Sequence, residues 1–133
     1  MKTSTELLKS YLDNVQDPGL ASSLFAEDGV LELPYLATLG YPHRAEGPEE
    51  IRHFLGNVLS IFEDFKFHSL KVFIETPEQV FGEYEVTTTV VSTGKDIHQL
   101  YMGRLVAENG KIKLLREALD TAATAKSLAE TDI

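Results

Sequence analysis

The sequence predicts an α+β domain in which helices near the amino end pack on a curved, mostly antiparallel sheet and leave a pocket. The first indication is LFAEDGVLELP, residues 24–34, where an apolar helix end meets Asp28-Gly29 and an alternating strand follows. The second is GRLVAENGKIKLLREAL, residues 103–119, where two alternating strands meet at Asn109-Gly110, a dipeptide typical of tight β-hairpins. The order of the elements along the chain is the third indication.

The amino-terminal half predicts three helices and one strand. Apolar residues recur at helical spacing in residues 4–14, where Ser4 or Thr5 can cap the helix. A short helix at 20–25 follows, and the turn at Asp28-Gly29 leads into a strand at 30–33. After a loop at 35–47, Pro48 starts a third helix with an apolar stripe that runs to residue 62.

The carboxy-terminal half predicts four antiparallel strands. Their expected positions are residues 65–75, 79–92, 97–106 and 111–119, separated by short turns. No linker or repeat interrupts the chain, so we expect residues 1–133 to form one domain, long enough to bury a full hydrophobic core.

Composition narrows the class of protein. The chain carries 12 Lys and Arg against 21 Asp and Glu, a net charge of −9, which argues against a nucleic-acid partner. No apolar run is long enough to span a membrane, and the first ten residues lack a signal-peptide core, so we expect no membrane partner. Cysteine is absent, which removes thiol chemistry and disulfides and fits the cytoplasm, where we expect the protein to reside.

Several segments resemble one known family. LFAEDG before the first strand, EGPEEIRHFL on the third helix and NGKI at the last hairpin resemble the SnoaL-like branch of the NTF2 and ketosteroid-isomerase superfamily. FEDFKFHSLKVFIETPEQVFGEYE and ENGKIKLLRE are similar to the phenazine-biosynthesis A/B type proteins, and the resemblance runs from about residue 6 to residue 128. It implies an NTF2-like cone, with three amino-terminal helices on a strongly curved sheet that encloses a pocket. It implies little about chemistry, because the superfamily includes isomerases, cyclases, hydrolases, dehydratases and proteins without known activity.

The resemblance also implies positions for the groups of a ketosteroid isomerase. The general base falls on Leu33, which cannot take a proton. Glu32 beside it points to the other face of the strand unless a bulge turns it into the pocket. Tyr11 matches the tyrosine that donates to the oxyanion, although it can equally pack with its hydroxyl at the rim. The second oxyanion partner maps near Tyr101 or Met102, where no acid stands.

Two faces of the strand at 79–92 compete for the pocket. Periodicity favours the face with valine and tyrosine inward, which leaves the glutamates in water. The register that the resemblance implies turns Phe81, Glu83 and Glu85 inward, where burial would raise a carboxyl pKa and suit acid/base chemistry. The sequence leaves both orientations open.

Further candidates come from the other strands and the loop. His98 can exchange protons near neutral pH, but a histidine at a strand start is often only a surface residue. The resemblance turns Glu117 inward, while an ordinary ion pair is the alternative. Tyr35 and Tyr41 suit a loop over a flat apolar ligand, or a loop packed on its own domain. The resulting predictions are catalytic residues Glu83, His98 and Tyr11, and pocket-lining residues Leu33, Tyr35, Tyr41, Phe54, Phe81, Glu85, Met102 and Glu117.

Two functions fit these patterns. One is a cofactor-independent proton-transfer enzyme, an isomerase, cyclase or dehydratase acting on a small hydrophobic cyclic carbonyl compound. The other is a ligand-binding or scaffold protein with the same pocket and no chemistry, which Leu33 favours. The four histidines lack metal-site spacing and no nucleotide motif occurs, so we expect no metal and no cofactor. The resemblance implies a homodimer through the outer sheet face, and we expect Tyr84, Val86, Thr88 and Val90 to form an apolar surface on that face.

Overall fold

The computed structural model describes residues 1–130. It contains four α-helices, one 3₁₀ helix and six strands in that range. In chain order they are α1 Ser4–Asp13, α2 Pro18–Ser23, β1 Phe25–Glu32, the 3₁₀ helix Pro34–Leu39, β2 Arg44–Glu46, α3 Gly47–Ile61, β3 Phe67–Glu75, β4 Gln79–Thr89, β5 Asp96–Glu108, β6 Lys111–Leu119 and α4 Thr121–Leu128.

The first and third helices begin with strong local signals. Thr3, rather than the predicted Ser4 or Thr5, caps α1 in a capping box, because its side chain accepts from the Glu6 amide and Glu6 accepts from the Thr3 amide. Pro48 stands in the first turn of α3, where its missing N–H costs nothing. Both helices pack an apolar stripe against the sheet, so together they form the side of the core opposite the sheet.

The six strands form one sheet in the order β2-β1-β6-β5-β4-β3. All neighbours are antiparallel except β1 and β6, which run parallel. The strand β1 begins five residues earlier than predicted. Asp28-Gly29 lies inside it, at an irregularity in the pairing with β6, so this dipeptide forms a bulge and not the predicted turn.

Three elements were not predicted from the sequence. The predicted loop at 35–47 contains the 3₁₀ helix and β2, both too short to show a periodic pattern. The helix α4 begins at Asp120, whose side chain accepts from the Ala123 amide. Its composition of alanine, threonine and serine gives no apolar stripe in the sequence.

The predicted α+β architecture is confirmed. Three amino-terminal helices pack on the concave face of a curved, mostly antiparallel sheet, and the core lies between them. A chain of ring contacts links α1 to the sheet through Tyr11, Phe67, Tyr84 and Tyr101. None of the helices in residues 1–130 combines the length and the apolar composition that crossing a membrane requires.

Candidate functional site

A cavity of about 240 Å³ lies between the concave face of the sheet and the helices α1, α3 and α4. Its volume exceeds the roughly 150 Å³ of an apolar cavity that takes up benzene, so a one- or two-ring molecule is a reasonable occupant. The walls are mostly aliphatic and aromatic. They include Tyr11, Val15, Leu33, Leu36, Tyr41, Phe54, Leu55, Val58, Phe62, Phe65, Phe67, Val86, Ile97, Tyr101, Leu119 and Leu128.

One carboxyl group stands in this apolar wall. Glu117 on β6 is only 2% exposed and lines the cavity. The Tyr84 hydroxyl donates to Glu117 Oε2 at 2.5 Å. No other residue in the described range donates to this carboxyl, so Oε1 has no partner there. Every fully buried polar side-chain atom in that range has a partner, so Oε1 is not fully buried and opens on the cavity that Glu117 lines. A buried carboxyl with one free oxygen is suited to accept or release a proton.

Burial controls the protonation of this group. Desolvation raises the pKa of Glu117 from its ordinary 4.5 to about 7, against the opposing effect of the Tyr84 hydrogen bond. Burial and the neighbouring Glu117 charge raise the pKa of Tyr11, of Tyr84 and of Tyr101 well above 10. The three phenols therefore stay protonated and act as donors, while Glu117 can cycle between acid and base near neutral pH.

A glycine on β5 makes the contact between Tyr84 and Glu117 possible. Gly103 pairs with Glu117 across the β5–β6 ladder, and the Tyr84 ring reaches over it from β4. A Cβ atom at Gly103 would overlap the Tyr84 hydroxyl. The absence of a side chain at this position therefore lets a phenol on one strand reach a carboxyl two strands away.

Five of the predicted residues reach the cavity. They are Tyr11, Leu33, Tyr41, Phe54 and Glu117. Leu33 is 5% exposed and lies in the wall, so the position that would carry an isomerase base contributes only apolar surface. The hydroxyls of Tyr11 and Tyr101 have no protein partner in the described part of the chain, which leaves both available to a ligand.

The structure decides between the two orientations of β4 that the sequence left open, against the one from which the site residues were predicted. Val80, Tyr84 and Val86 are buried, and the alternate residues face the other side of the sheet. Consequently the predicted residues Phe81, Glu83 and Glu85 do not line the cavity. Periodicity indicated the observed orientation, and the register taken from the resemblance indicated the opposite one.

Three more predicted residues lie away from the cavity. His98 is on the outer face, where its Nε2 lies 2.5 Å from Glu85 Oε1, and this hydrogen bond lowers the pKa of Glu85. Met102 is on the same face, directly across from Glu83. Tyr35 is 54% exposed and is not part of the cavity wall, although it lies beside residues that are.

The surface predicted for a homodimer is also corrected. Tyr84, Val86 and Val90 are fully buried, and Thr88 lines the cavity, so none of them is available to a second subunit. The outer face of the sheet instead carries Phe73, Phe81, Leu100 and Met102.

The wall that α4 adds to the cavity was not predicted from the sequence. Gln99 on β5 donates to the Asp120 carbonyl at 2.8 Å and accepts from the Thr124 hydroxyl at 2.6 Å, which holds α4 against the sheet. Thr124 and Leu128 of α4 then line the cavity. The signal available in the sequence was Asp120, a good helix cap directly after the last strand.

Residues 1–130 contain no group of three or more side chains arranged to hold a metal ion. The polar groups that reach the cavity are instead hydroxyls, amides and the Glu117 carboxyl. These groups suit hydrogen bonding and proton transfer to an organic ligand.

Comparison with known proteins agrees with this architecture. Residues 11–115 match the model of the SnoaL-like domain family. A provisionally assigned isomerase from Bacillus subtilis has a TM-score of 0.84 and 21% identity, over 97% of this chain and 94% of that one. A phenazine biosynthesis-related protein from Pseudomonas aeruginosa has a TM-score of 0.80 and 22% identity, over 94% of this chain and 84% of that one.

A third solved structure is a provisionally assigned polyketide cyclase from Pseudomonas putida. It has a TM-score of 0.81 and 14% identity, over 97% of this chain and all of that one (100%). Identities this low show a shared fold and leave the chemistry open. The search of curated proteins found no match.

Proposed function

This chain belongs to the SnoaL-like domain family, and we propose that it is a cofactor-independent proton-transfer enzyme for a small, apolar, cyclic carbonyl compound. Glu117 is the observation that carries the proposal. Its carboxyl has a free oxygen and lies in an apolar cavity that the phenols of Tyr11 and Tyr101 also line. Neither phenol has a hydrogen-bond partner among the described residues.

The proposed reaction is an isomerisation through an enolate. The Glu117 carboxylate takes a proton from the carbon next to the substrate carbonyl, and the electron pair of that C–H bond moves toward the carbonyl oxygen. Tyr11 and Tyr101 donate to this oxygen as its charge develops. The protonated Glu117 then returns the proton to another carbon of the same molecule, so no atom is gained or lost.

The surroundings of Glu117 favour this role over the one predicted for Glu83 and His98. A general acid/base works best when its pKa is close to the operating pH, and the value of about 7 for Glu117 meets this condition. Donors in a mostly apolar cavity stabilise an enolate more than the same donors do in bulk solvent. The outer sheet face offers Glu83 and His98 no comparable enclosure.

Hydrogen–deuterium exchange tests the proposal. Cyclic ketones such as cyclohexanone, 2-cyclohexenone and 1-tetralone are incubated in D₂O, and the loss of each α-proton signal is followed by NMR. We expect exchange with the wild type and with Glu83→Gln, and a loss of about a hundredfold or more with Glu117→Gln. Exchange at the wild-type rate in Glu117→Gln would refute the assignment.

Leu33 favours a second function, binding without chemistry. At the position of the usual base this chain has an alkyl side chain in the cavity wall. A wild-type protein that binds these ketones and exchanges none of their protons would support a binding or scaffold role.

We also propose a homodimer through the outer sheet face, now with Phe73, Phe81, Leu100 and Met102 as its apolar residues. Light scattering of the wild type and of Leu100→Glu tests it. We expect the wild type to have twice the monomer mass and the variant to dissociate. A monomeric wild type at micromolar concentration would contradict this interface. Location of the protein in the cytoplasm remains a prediction from the amino-acid composition.

A further inference from the structure

We propose that the cavity selects substrates by charge: it binds a molecule that carries a basic nitrogen, as a cation beside Glu117, and it rejects carboxylates. This inference rests on the proposed function, since it adds a charge preference to the same cavity. It restricts the substrate class from cyclic carbonyl compounds in general to amino ketones, imines and related nitrogen bases.

The walls of the cavity supply the first argument. Among the described residues that line it there is no Lys, Arg or His, and Glu117 is the one carboxyl. An anionic ligand would leave water, find no cation and lie near a buried carboxyl. Desolvating a charge without a partner is strongly unfavourable, so carboxylates should be excluded.

The second argument is the free oxygen of Glu117. Tyr84 occupies Oε2, and no described residue donates to Oε1. An ammonium or protonated imine can donate to one of the two acceptor sites of Oε1 and form a charge-assisted hydrogen bond in a low-dielectric site, and the other acceptor site remains for the proton of the reaction. Close charge pairs in protein interfaces have coupling energies that correspond to about tenfold in affinity or more.

The third argument is the aromatic content of the walls. Tyr11, Phe54, Phe62, Phe67 and Tyr101 all line the cavity. The negative faces of aromatic rings attract organic cations, and the attraction is stronger in desolvated sites. A hydrophobic cation therefore gains a charge-assisted contact with the carboxylate and an attraction to the rings, whereas a neutral ring compound gains apolar contact and neutral hydrogen bonds.

The groups around Glu117 determine how this preference depends on pH. Tyr84 faces it from β4, Tyr101 from β5 and Tyr11 from α1, and each has a raised pKa and stays neutral. The segment after β1 contributes the uncharged Leu33. The affinity for a cation should follow the ionisation of Glu117, with a slope of about tenfold per pH unit below about pH 7 and a plateau above it.

Three probes of similar size test the proposal: benzylamine, benzyl alcohol and benzoate. Their affinities for the full chain are measured by calorimetry from about pH 5 to about pH 8. At the upper pH we expect the affinity of benzylamine to be at least about tenfold higher than that of benzyl alcohol. The affinity of benzoate should be at least about tenfold lower than that of benzyl alcohol. Equal affinity for the amine and the alcohol at every pH, or tighter binding of benzoate, would overturn the inference.

Variants assign the effect to the cavity. In Glu117→Gln the advantage of benzylamine over benzyl alcohol should disappear, while Glu83→Gln on the outer face should keep it. A benzylamine advantage that survives Glu117→Gln would overturn the inference. If Glu117→Gln fails to fold, the charge series with the wild type still decides the question.

The two proposals fail in different ways. Ketone exchange that depends on Glu117, together with a preference for benzyl alcohol, would contradict the charge selection and leave the enzyme proposal intact. Tight, pH-dependent benzylamine binding without any ketone exchange would support the charge selection and contradict the enzyme proposal.

Discussion

Replacing Glu117 with Gln should stabilise the protein at neutral and alkaline pH relative to acidic pH. Gln has the same shape and can still accept the hydrogen bond from Tyr84. It cannot ionise, so the variant avoids the cost of holding a charged carboxylate in an apolar wall. The effect measures that cost directly.

The magnitude follows from the pKa of Glu117. A rise from 4.5 in the unfolded chain to about 7 in the folded protein corresponds to roughly 3 kcal/mol, at about 1.4 kcal/mol per pKa unit. Between these values the unfolded chain has released the proton and the folded protein still holds it. The free energy of unfolding of the wild type therefore falls as the pH rises through this window, and levels off above about pH 7.

Urea unfolding from about pH 4 to about pH 8 measures the effect. The difference in the free energy of unfolding between Glu117→Gln and the wild type should change by roughly 3 kcal/mol in favour of the variant as the pH rises across this range. The control is Glu85→Gln. Because the hydrogen bond from His98 lowers the pKa of Glu85 below 4.5, its carboxylate stabilises the fold throughout the window and loses this effect only as the pH falls below it. The difference for the control should therefore stay nearly constant across the window and change, with the opposite sign, only below it. A pH-independent difference for Glu117→Gln would refute the reasoning.

Three further variants test the surroundings of Glu117. Tyr84→Phe removes the donor to the carboxylate and should raise the Glu117 pKa by about one unit or more, measured by NMR titration; an unchanged pKa would contradict the contact. Gly103→Ala should lower the free energy of unfolding by about 1–3 kcal/mol and move the Tyr84 ring, seen in urea unfolding and in the Tyr84 ring signals, whereas unchanged signals would contradict the predicted overlap. Tyr11→Phe should lower the rate of ketone proton exchange about a hundredfold at unchanged affinity, and an unchanged rate would remove Tyr11 from the reaction.

Much of the fold could be predicted from local signals. Pro48 and the alternating segments locate α3 and the later strands because each signal depends on a few neighbouring residues. The 3₁₀ helix and β2 could not be predicted, since a three-residue strand carries no periodicity of its own. The helix α4 is held by Gln99, a contact that exists only after β5 and β6 have paired.

The orientation of β4 shows where the sequence prediction failed. A displacement of one residue in a strand turns every side chain to the other face, so a small error in an assumed register moved Glu83 and Glu85 from one side of the sheet to the other. The alternation of Val80, Tyr84 and Val86 already indicated the observed face. At this strand the hydrophobic pattern was a better guide than the resemblance.

The site itself depends on contacts between distant residues. Glu117 was among the predicted pocket residues, but its partner Tyr84 was placed on the opposite face of the sheet. The contact depends on the register of β4, β5 and β6 and on the missing side chain at Gly103. No local sequence pattern indicates both conditions together. The sequence therefore indicated the carboxyl and could not indicate its environment.

The pKa of Glu117 in the folded protein tests the account most directly. Carboxyl carbons of glutamate labelled with ¹³C are titrated by NMR, and the Glu117 signal is identified by its loss in Glu117→Gln. We expect a midpoint near 7, because the carboxyl is buried in an apolar wall. A midpoint at the ordinary value of 4.5 would show that the carboxyl is solvated and would contradict its role in proton transfer.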